Sequence, residues 1–212
     1  MTSYSEQEDL DKLKAWWKEY GNSLIFGVIL GVVVLFGFRY WTQQKEQSLV
    51  DAAALYDQMV QSLRTSNLNE AMKTGDTLIQ DYASTPYAAM AALLHARVDH
   101  EAGDAASARK NLQWVIDHAR DSGAIHSARL RLARLHINSG EMDAALALAN
   151  VKDQTGFEAE YQELKGDVLL SQGHRDEARA AYREALKHVP SGSPYLPVLT
   201  MKLDDLGPEK AL

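Results

Sequence analysis

The chain contains no cysteine, so neither a disulfide bond nor a thiolate metal site can form in it. It has only five prolines, and none of them lies inside a strongly periodic segment. Outside one apolar stretch near the N-terminus, no run of alternating β-branched residues is present, and such a run is the usual pattern of a half-buried strand. These absences predict an all-α protein without a sheet.

The motifs of common enzymes are also missing. There is no glycine-rich phosphate loop, no G-x-S-x-G motif and no cysteine nucleophile. Residues 100–104, HEAGD, begin like a zinc-protease motif, but Asp104 stands where the second histidine is needed and Gly103 would break the required helix. We therefore expect a protein that is not an enzyme, with no cofactor, no metal ion and no small-molecule substrate.

The overall charge excludes a further class of partner. The formal net charge is −7, and an acidic protein is repelled by phosphate backbones, so we expect no nucleic-acid binding. Residues 42–212 are numerous enough to form one compact domain with its own core.

One stretch is apolar throughout. The fifteen residues from Leu24 to Phe38 are all apolar or glycine, and Trp and Tyr residues flank them on both sides. From Tyr20 to Trp41 a helix would be about 33 Å long, close to the thickness of a hydrocarbon core of about 30 Å. Aromatic residues favour the two membrane interfaces. The pattern predicts a transmembrane anchor over residues 23–41, in preference to a buried core helix.

The flanks of this stretch favour an uncleaved anchor over a signal peptide. No small-x-small cleavage site follows Phe38, and about 20 residues precede the run. Three lysines lie on the N-terminal side, against Arg39 and Lys45 on the other, so we expect a cytoplasmic N-terminus and an exported C-terminal domain.

Small residues recur on one side of the predicted anchor. Ser23, Gly27 and Gly31 are four residues apart, which puts them on one helix face where a second transmembrane helix could pack closely. The segment before the anchor, residues 1–22, carries a Ser-x-x-Glu capping box and an apolar stripe, so it is either a short amphipathic helix at the membrane surface or a polar tail with a helical bias. The polar segment 42–51 is expected to continue the helix as a stalk.

An internal repeat follows the stalk. The steps between equivalent alanines are 37, 37 and 33 residues. A turn residue lies five positions before each alanine, and an equivalent residue of the preceding helix lies twelve positions before it. A period near 34 with this spacing is typical of tetratricopeptide helical hairpins, in which small residues allow the two helices to cross closely. The aligned positions are Met59, Ala96, Ala133 and Gly166; Ser66, Gly103, Gly140 and Gly173; and Ala71, Ala108, Ala145 and Ala178.

The repeat predicts the architecture of the domain. We expect four hairpins over residues 52–83, 87–119, 124–151 and 159–189, and a last short helix from Val198 to Leu206 that covers the exposed edge of the fourth hairpin. The predicted fold class is all-α, with one N-terminal transmembrane helix and a tetratricopeptide-like superhelix over residues 52–212.

The repeat also predicts a candidate binding groove, since the first helices of such hairpins line one concave surface. Arg97 and Arg134 occupy equivalent ninth positions, with Leu93, Leu130 and Tyr56 at fifth positions. The arginines could bind carboxylates of an extended partner segment beside the apolar residues. Two other interpretations stay open: the arginines could pair with Glu163 or Asp167 one hairpin on, or the basic run to which Arg134 belongs could simply be a solvated helix face. This basic run consists of Arg129, Arg131 and Arg134, with Arg120 and His126 nearby.

The chain resembles a known bacterial family, the YfgM family of ancillary SecYEG translocon subunits. The similarity covers nearly the whole sequence, and its most specific parts are GVILGVVVLFGFRYW (27–41), LRLARLHINSGEMDAAL (130–146), LKGDVLLSQGHRDEARAAY (164–182) and MKLDDL (201–206). The resemblance implies a bitopic inner-membrane protein with a short cytoplasmic N-terminus and a periplasmic tetratricopeptide-like domain. It further implies association with the SecYEG translocon and with a membrane-anchored periplasmic chaperone.

Two function classes follow. In the first, the protein is an accessory translocon subunit that mediates protein-protein contacts, linking the translocon to periplasmic chaperones that act on emerging secretory polypeptides. In the second, it is a passive tetratricopeptide scaffold for another envelope-biogenesis complex. Crosslinking in intact membranes would discriminate between them, because a translocon subunit should trap channel subunits or emerging chains.

Overall fold

The computed structural model describes residues 3–207, with the side chains of 3–11, 13, 15, 22–24 and 28 left undescribed. Over this range it contains nine α-helices and no strand, as the sequence predicts. The chain divides into two compact units, Met1–Asp51 and Ala52–Leu212, which are described separately below.

The first unit belongs to a single long helix. Helix α1 runs from Ser3 to Arg64, and its N-terminal part contains the apolar stretch. Large apolar side chains along that stretch are exposed, among them Phe26, Leu35 and Phe36. Within the described residues α1 is the helix that is long and apolar enough to cross a membrane. The side chains of the predicted capping box and of Ser23 lie outside what the structure describes.

The second unit consists of helical hairpins in sequence order. The C-terminal part of α1 pairs with α2 (Leu68–Asp81), and the next pair is α3 (Pro86–Glu101) with α4 (Ala105–His118). Two further pairs and a single helix follow: α5 (Ser122–Asn138) with α6 (Met142–Ala149), α7 (Glu158–Ser171) with α8 (Arg175–Lys187), and α9 (Leu196–Asp204). The predicted start of the first hairpin at residue 52 is not a helix boundary, because α1 is continuous there, but the other bounds of the hairpins and of the last helix lie within two residues of the predicted ones.

The backbone of the four hairpin turns confirms the predicted register. Gly103, Gly140 and Gly173 all adopt the left-handed conformation, with φ of 82°, 78° and 83°. Ser66 occupies the same position in the first hairpin with φ of 59°, where a residue with a Cβ is disfavoured. In each turn the following N–H donates to the carbonyl five residues earlier, at 2.8–2.9 Å, which is the Schellman arrangement.

The four equivalent alanines lie at the helix crossings. Ala71, Ala108, Ala145 and Ala178 are all fully buried in the hydrophobic core. In the fourth hairpin the crossing is so close that a Cβ on Gly166 would collide with the ring of Tyr182. The fold therefore requires small residues at these positions, because the two helices of each hairpin lie too close together for larger side chains.

The third hairpin departs from the others in its second helix. Helix α6 contains only eight residues and ends at Ala149, where the best-preserved repeat has an aromatic residue. An irregular segment then leads to α7, and Gly156 in this segment has a φ of 80°. The loss of the aromatic and of the later alanine, both visible in the sequence, coincides with this shortening.

Candidate partner-binding surface

A pocket of about 500 Å³ lies between α3 and α5, and we call it the arginine pocket. Its floor is apolar, because Leu112 of α4 and Leu135 of α5 are buried there. Its rim carries basic and polar groups from both first helices. The lining residues are Ala96, Arg97, His100, Leu112, Arg131, Arg134, Leu135 and Asn138.

The pocket contains both arginines that the repeat register placed together. Arg97 on α3 and Arg134 on α5 are 37 residues apart, the step that also relates the buried alanines of these two hairpins. Arg97 donates from Nε to Oε1 of Glu101 at 2.8 Å, one turn further along its own helix. Both side chains of this pair are well exposed, so the contact does not tie Arg97 to the next hairpin.

Arg134, in contrast, connects two hairpins. Its Nη2 donates to Oε2 of Glu163 on α7 at 2.9 Å. The Glu163 side chain is 5% exposed, whereas that of Arg134 is 44% exposed and still reaches the pocket. Of the alternatives considered for this arginine, the pairing with Glu163 is therefore present.

Glu163 has further partners on the C-terminal side. The Tyr195 hydroxyl donates to Oε2 at 2.6 Å, and Nζ of Lys202 lies 2.8 Å from Oε1. Burial alone would raise the pKa of Glu163, but the hydrogen bonds from Lys202 and Tyr195 and the charges of Lys202 and Arg134 outweigh it and lower the pKa below its usual value. Glu163 is thus an ionised, fully paired carboxylate.

Lys202 of α9 also binds the second acid of α7. Its Nζ lies 2.6 and 2.8 Å from the two carboxylate oxygens of Asp167, and the Tyr182 hydroxyl donates to the same group at 2.7 Å. Burial and the neighbouring Asp167 carboxylate raise the pKa of Tyr182. Helix α9 therefore places one ammonium group beside both Glu163 and Asp167, in addition to burying Leu199 against α8.

The predicted apolar contacts lie at different depths. Leu130 is only 4% exposed and packs in the core with Tyr161 and Leu164. Leu93 is half-buried and packs against the core shared by α3, α4 and α5. Tyr56 is also half-buried, with its ring 5.8 Å from that of Tyr87. Neither Leu93 nor Leu130 lines the arginine pocket.

The rest of the basic run divides between core and surface. His126 is buried, accepts or donates a hydrogen bond with the Tyr161 hydroxyl at 2.8 Å, and stacks on Phe157. Arg131, in contrast, is exposed and lines the pocket. Sequence reasoning did not place Arg131 in the groove, although its three-residue spacing from Arg134 puts both on neighbouring positions of one helix face.

Two of the three small residues in the apolar segment can be placed. Gly27 and Gly31 are exposed, and a Cβ on either would meet nothing within 4 Å. Among the residues that the structure describes, no three His, Asp or Glu side chains are grouped as a metal site requires.

Comparison with known proteins shows similarity along most of the chain. The family model for a tetratricopeptide repeat-like domain matches residues 14–208. The chain is 30% identical over 205 residues to the ancillary SecYEG translocon subunit of Neisseria gonorrhoeae, covering 95% of this chain and 97% of that protein. It is 30% identical over 184 residues to the protein of the same name from Haemophilus influenzae, covering 86% and 89%. For Escherichia coli K12 the identity is 28% over 183 residues, covering 86% and 88%.

Proposed function

Because the chain belongs to the family of ancillary SecYEG translocon subunits with a tetratricopeptide repeat-like domain, we propose that it is an accessory subunit of the SecYEG translocon. The observation that carries this proposal is the extent of the similarity. The alignment with the Neisseria relative covers 95% of the chain, too much to leave out either the apolar segment or the repeat domain. The apolar segment and the repeat domain therefore both lie within the similarity, which supports the proposal.

Such a subunit functions through protein-protein contacts. Stacked helical hairpins provide an extended surface for partners, and the sequence contains no glycine-rich phosphate loop, no G-x-S-x-G motif and no cysteine nucleophile. We expect the repeat domain to bind a membrane-anchored periplasmic chaperone and to bring it to the translocon, where emerging secretory polypeptides are available. The anchor holds the domain at the membrane, which raises its effective concentration near the channel.

The topology that suits this function has the N-terminus in the cytoplasm. The chain fits a single-pass inner-membrane protein, with α1 as the spanning helix. Lys12, Lys14 and Lys18 on the N-terminal side outnumber Arg39 and Lys45 on the other, and the positive side stays in the cytoplasm. The repeat domain is then periplasmic.

Two surfaces are available for these contacts. Ser23, Gly27 and Gly31 would provide the face for another transmembrane helix, because small residues let helix backbones approach closely in lipid. The side of the repeat domain formed by the first helices would bind soluble partners, with Arg97 and Arg134 as charged contacts and Leu93 and Tyr56 as partly exposed apolar ones. Leu130 would support this surface from the core.

Crosslinking in intact inner membranes tests the proposal. A photoreactive residue is introduced into the full chain at exposed positions of the anchor, such as Phe36, and of the pocket rim, such as Arg131. Irradiation should trap channel subunits at the anchor and a chaperone or emerging chain at the rim. If the chain traps only proteins of cell-wall or outer-membrane assembly, it is a scaffold of another complex and the proposal is wrong.

A further inference from the structure

The arginine pocket is a basic site in an acidic protein. The chain has a formal net charge of −7, yet three guanidinium groups, those of Arg97, Arg131 and Arg134, line one pocket of about 500 Å³. Beneath them lies an apolar floor that includes the buried Leu112 and Leu135. A ligand that complements this pocket must carry negative charge and bring apolar groups with it.

The ion pairs within the protein leave N–H groups of these arginines available to a ligand. Arg131 is exposed and forms no ion pair in the part of the chain that the structure describes. The contact of Arg97 with Glu101 is an exposed pair within one helix, which solvent screens and a ligand can displace. Arg134 is committed to Glu163, but its side chain is 44% exposed and can bind a second carboxylate through its remaining N–H groups.

The face of α3 that carries Arg97 also carries apolar side chains beside the arginine pocket. Met90, Leu93, Arg97 and His100 follow one another at three- and four-residue steps, so they lie on one face of α3. Met90 is 41% exposed and Leu93 is half-buried, whereas Arg97 and His100 lie at the pocket. A segment lying along this face would meet apolar side chains first and basic ones next.

We propose that the arginine pocket binds a segment of a partner protein in which two or more acidic side chains stand next to apolar ones. Three guanidinium groups on two helices present more N–H donors than one carboxylate can accept, which favours several acidic side chains over a lone chain terminus. Such a partner would bind Arg97 and Arg131 directly. Arg134 would contact the ligand while it keeps its ion pair with Glu163. This deepens the proposed function, on which it rests, by naming the chemistry of the segment.

The proposal can be tested with the full chain purified in non-ionic detergent micelles. The probe is a fluorescein-labelled ten-residue peptide that alternates leucine and glutamate and has both ends blocked, and the comparison peptide has glutamine for every glutamate. Fluorescence anisotropy should show saturable binding of the acidic peptide. Binding should fall by about tenfold or more with the glutamine peptide, because each charge-assisted hydrogen bond is worth roughly that factor. It should also weaken as salt is raised.

A matched pair of double variants locates the site. Arg97→Glu with Arg131→Glu should weaken binding of the acidic peptide about tenfold or more, whereas Lys73→Glu with Lys110→Glu should leave it within about twofold. Both doubles change the net charge equally, and Lys73 and Lys110 are exposed residues of α2 and α4 outside the pocket. Arg134 is left intact so that Glu163 keeps its partner.

Several outcomes would overturn the proposal. Equal loss in the two doubles would mean that only the overall charge matters, and equal binding of the glutamine peptide would remove the role of carboxylates. Binding only of a peptide with a free C-terminus, or full displacement by millimolar inorganic phosphate, would indicate a terminus or a general anion site. If the peptide fails while the parent chain still traps channel subunits in membranes, the pocket proposal alone is wrong and the translocon proposal stands.

Discussion

Arg134 of α5 and Glu163 of α7 form an ion pair between consecutive hairpins, with 2.9 Å between Nη2 and Oε2. Because Glu163 is almost fully buried, its charge depends on the groups around it, which are Arg134, Tyr195 and Lys202. Removing one partner of a buried carboxylate costs more than the pair contributes when intact. Arg134, which the repeat register predicts as a partner-binding residue, therefore also stabilises the packing of consecutive hairpins.

Replacing Arg134 should therefore lower stability, and replacing Arg97 should not. We expect Arg134→Ala to cost about 1–2 kcal/mol, since Glu163 loses one of three partners but keeps the other two. Arg134→Glu should cost more, because it adds a second carboxylate beside a buried one. Thermal unfolding of the full chain, followed by circular dichroism, measures the difference, with Arg97→Ala as the control. A melting temperature for Arg134→Glu equal to that of the parent would contradict the pairing.

The crossing of α7 and α8 gives a second prediction. Ala178 is fully buried, so Ala178→Leu should cost about 1–3 kcal/mol by overpacking the core. Ala180 lies two residues on and is exposed, which makes Ala180→Leu the matched control with little expected change. Chemical denaturation of both variants would provide the comparison. Equal midpoints for the two would show that the register of this hairpin is wrong.

The close crossings were predictable because they depend on local sequence. A left-handed turn favours glycine, and a close helix crossing requires a small side chain, so Gly103, Gly140 and the repeated alanines identify the register directly. Ser66 adopts the same backbone conformation without being glycine, and the alignment of the repeats rather than its residue type predicts its place.

The charged contacts were not predictable to the same extent. The sequence places Arg97 and Arg134 in equivalent positions, yet one pairs within its own helix and the other with the next hairpin. This difference arises because Glu163 stands on α7 at the place where α5 has Leu130, so only Arg134 has an acid within reach on the neighbouring helix. Lys202 lies on the final helix α9, which is not part of a repeat, so the repeat period could not predict its contact with Glu163.

A buried histidine predicts how stability depends on pH. His95 on α3 is buried against Gly75, and its Nε2 has no hydrogen-bond partner among the described residues. Burial lowers the pKa of His95, although the charges of Asp76 and Asp99 oppose this effect. The unfolded chain then binds a proton at His95 more readily than the folded one.

We therefore expect the contribution of His95 to be fully present above its unfolded pKa of about 6.5 and to be lost as pH falls through the lower folded value. The free energy of unfolding of the parent should decrease between pH 7 and pH 5, and this decrease should be smaller in His95→Gln. His174→Gln, which changes an exposed histidine, is the control. Parallel pH profiles for the parent and His95→Gln would contradict the assignment.

The proposed topology predicts a protease protection pattern. Protease added to the periplasmic side of spheroplasts should digest the repeat domain and leave the N-terminal segment intact, because the lysines before the apolar run hold the N-terminus in the cytoplasm. A tag at each end, followed by immunoblotting, distinguishes the two fragments. The reverse pattern would invert the orientation, and a mature protein that begins after residue 40 would show that the anchor is cleaved.

The apolar segment predicts a helix contact inside the membrane. Gly27 and Gly31 lie four residues apart on α1, and a Cβ on either would meet nothing within 4 Å. Gly27→Leu with Gly31→Leu should keep the segment apolar and inserted, yet hold a neighbouring helix away and reduce the membrane partners recovered from mild detergent extracts. Val33→Leu with Gly37→Leu is the matched control, because it has the same four-residue spacing and lies about 120° around the helix. Membrane fractionation should show equal insertion of both doubles. If both also recover the same amount of channel subunits as the parent, Gly27 and Gly31 do not form the contact face.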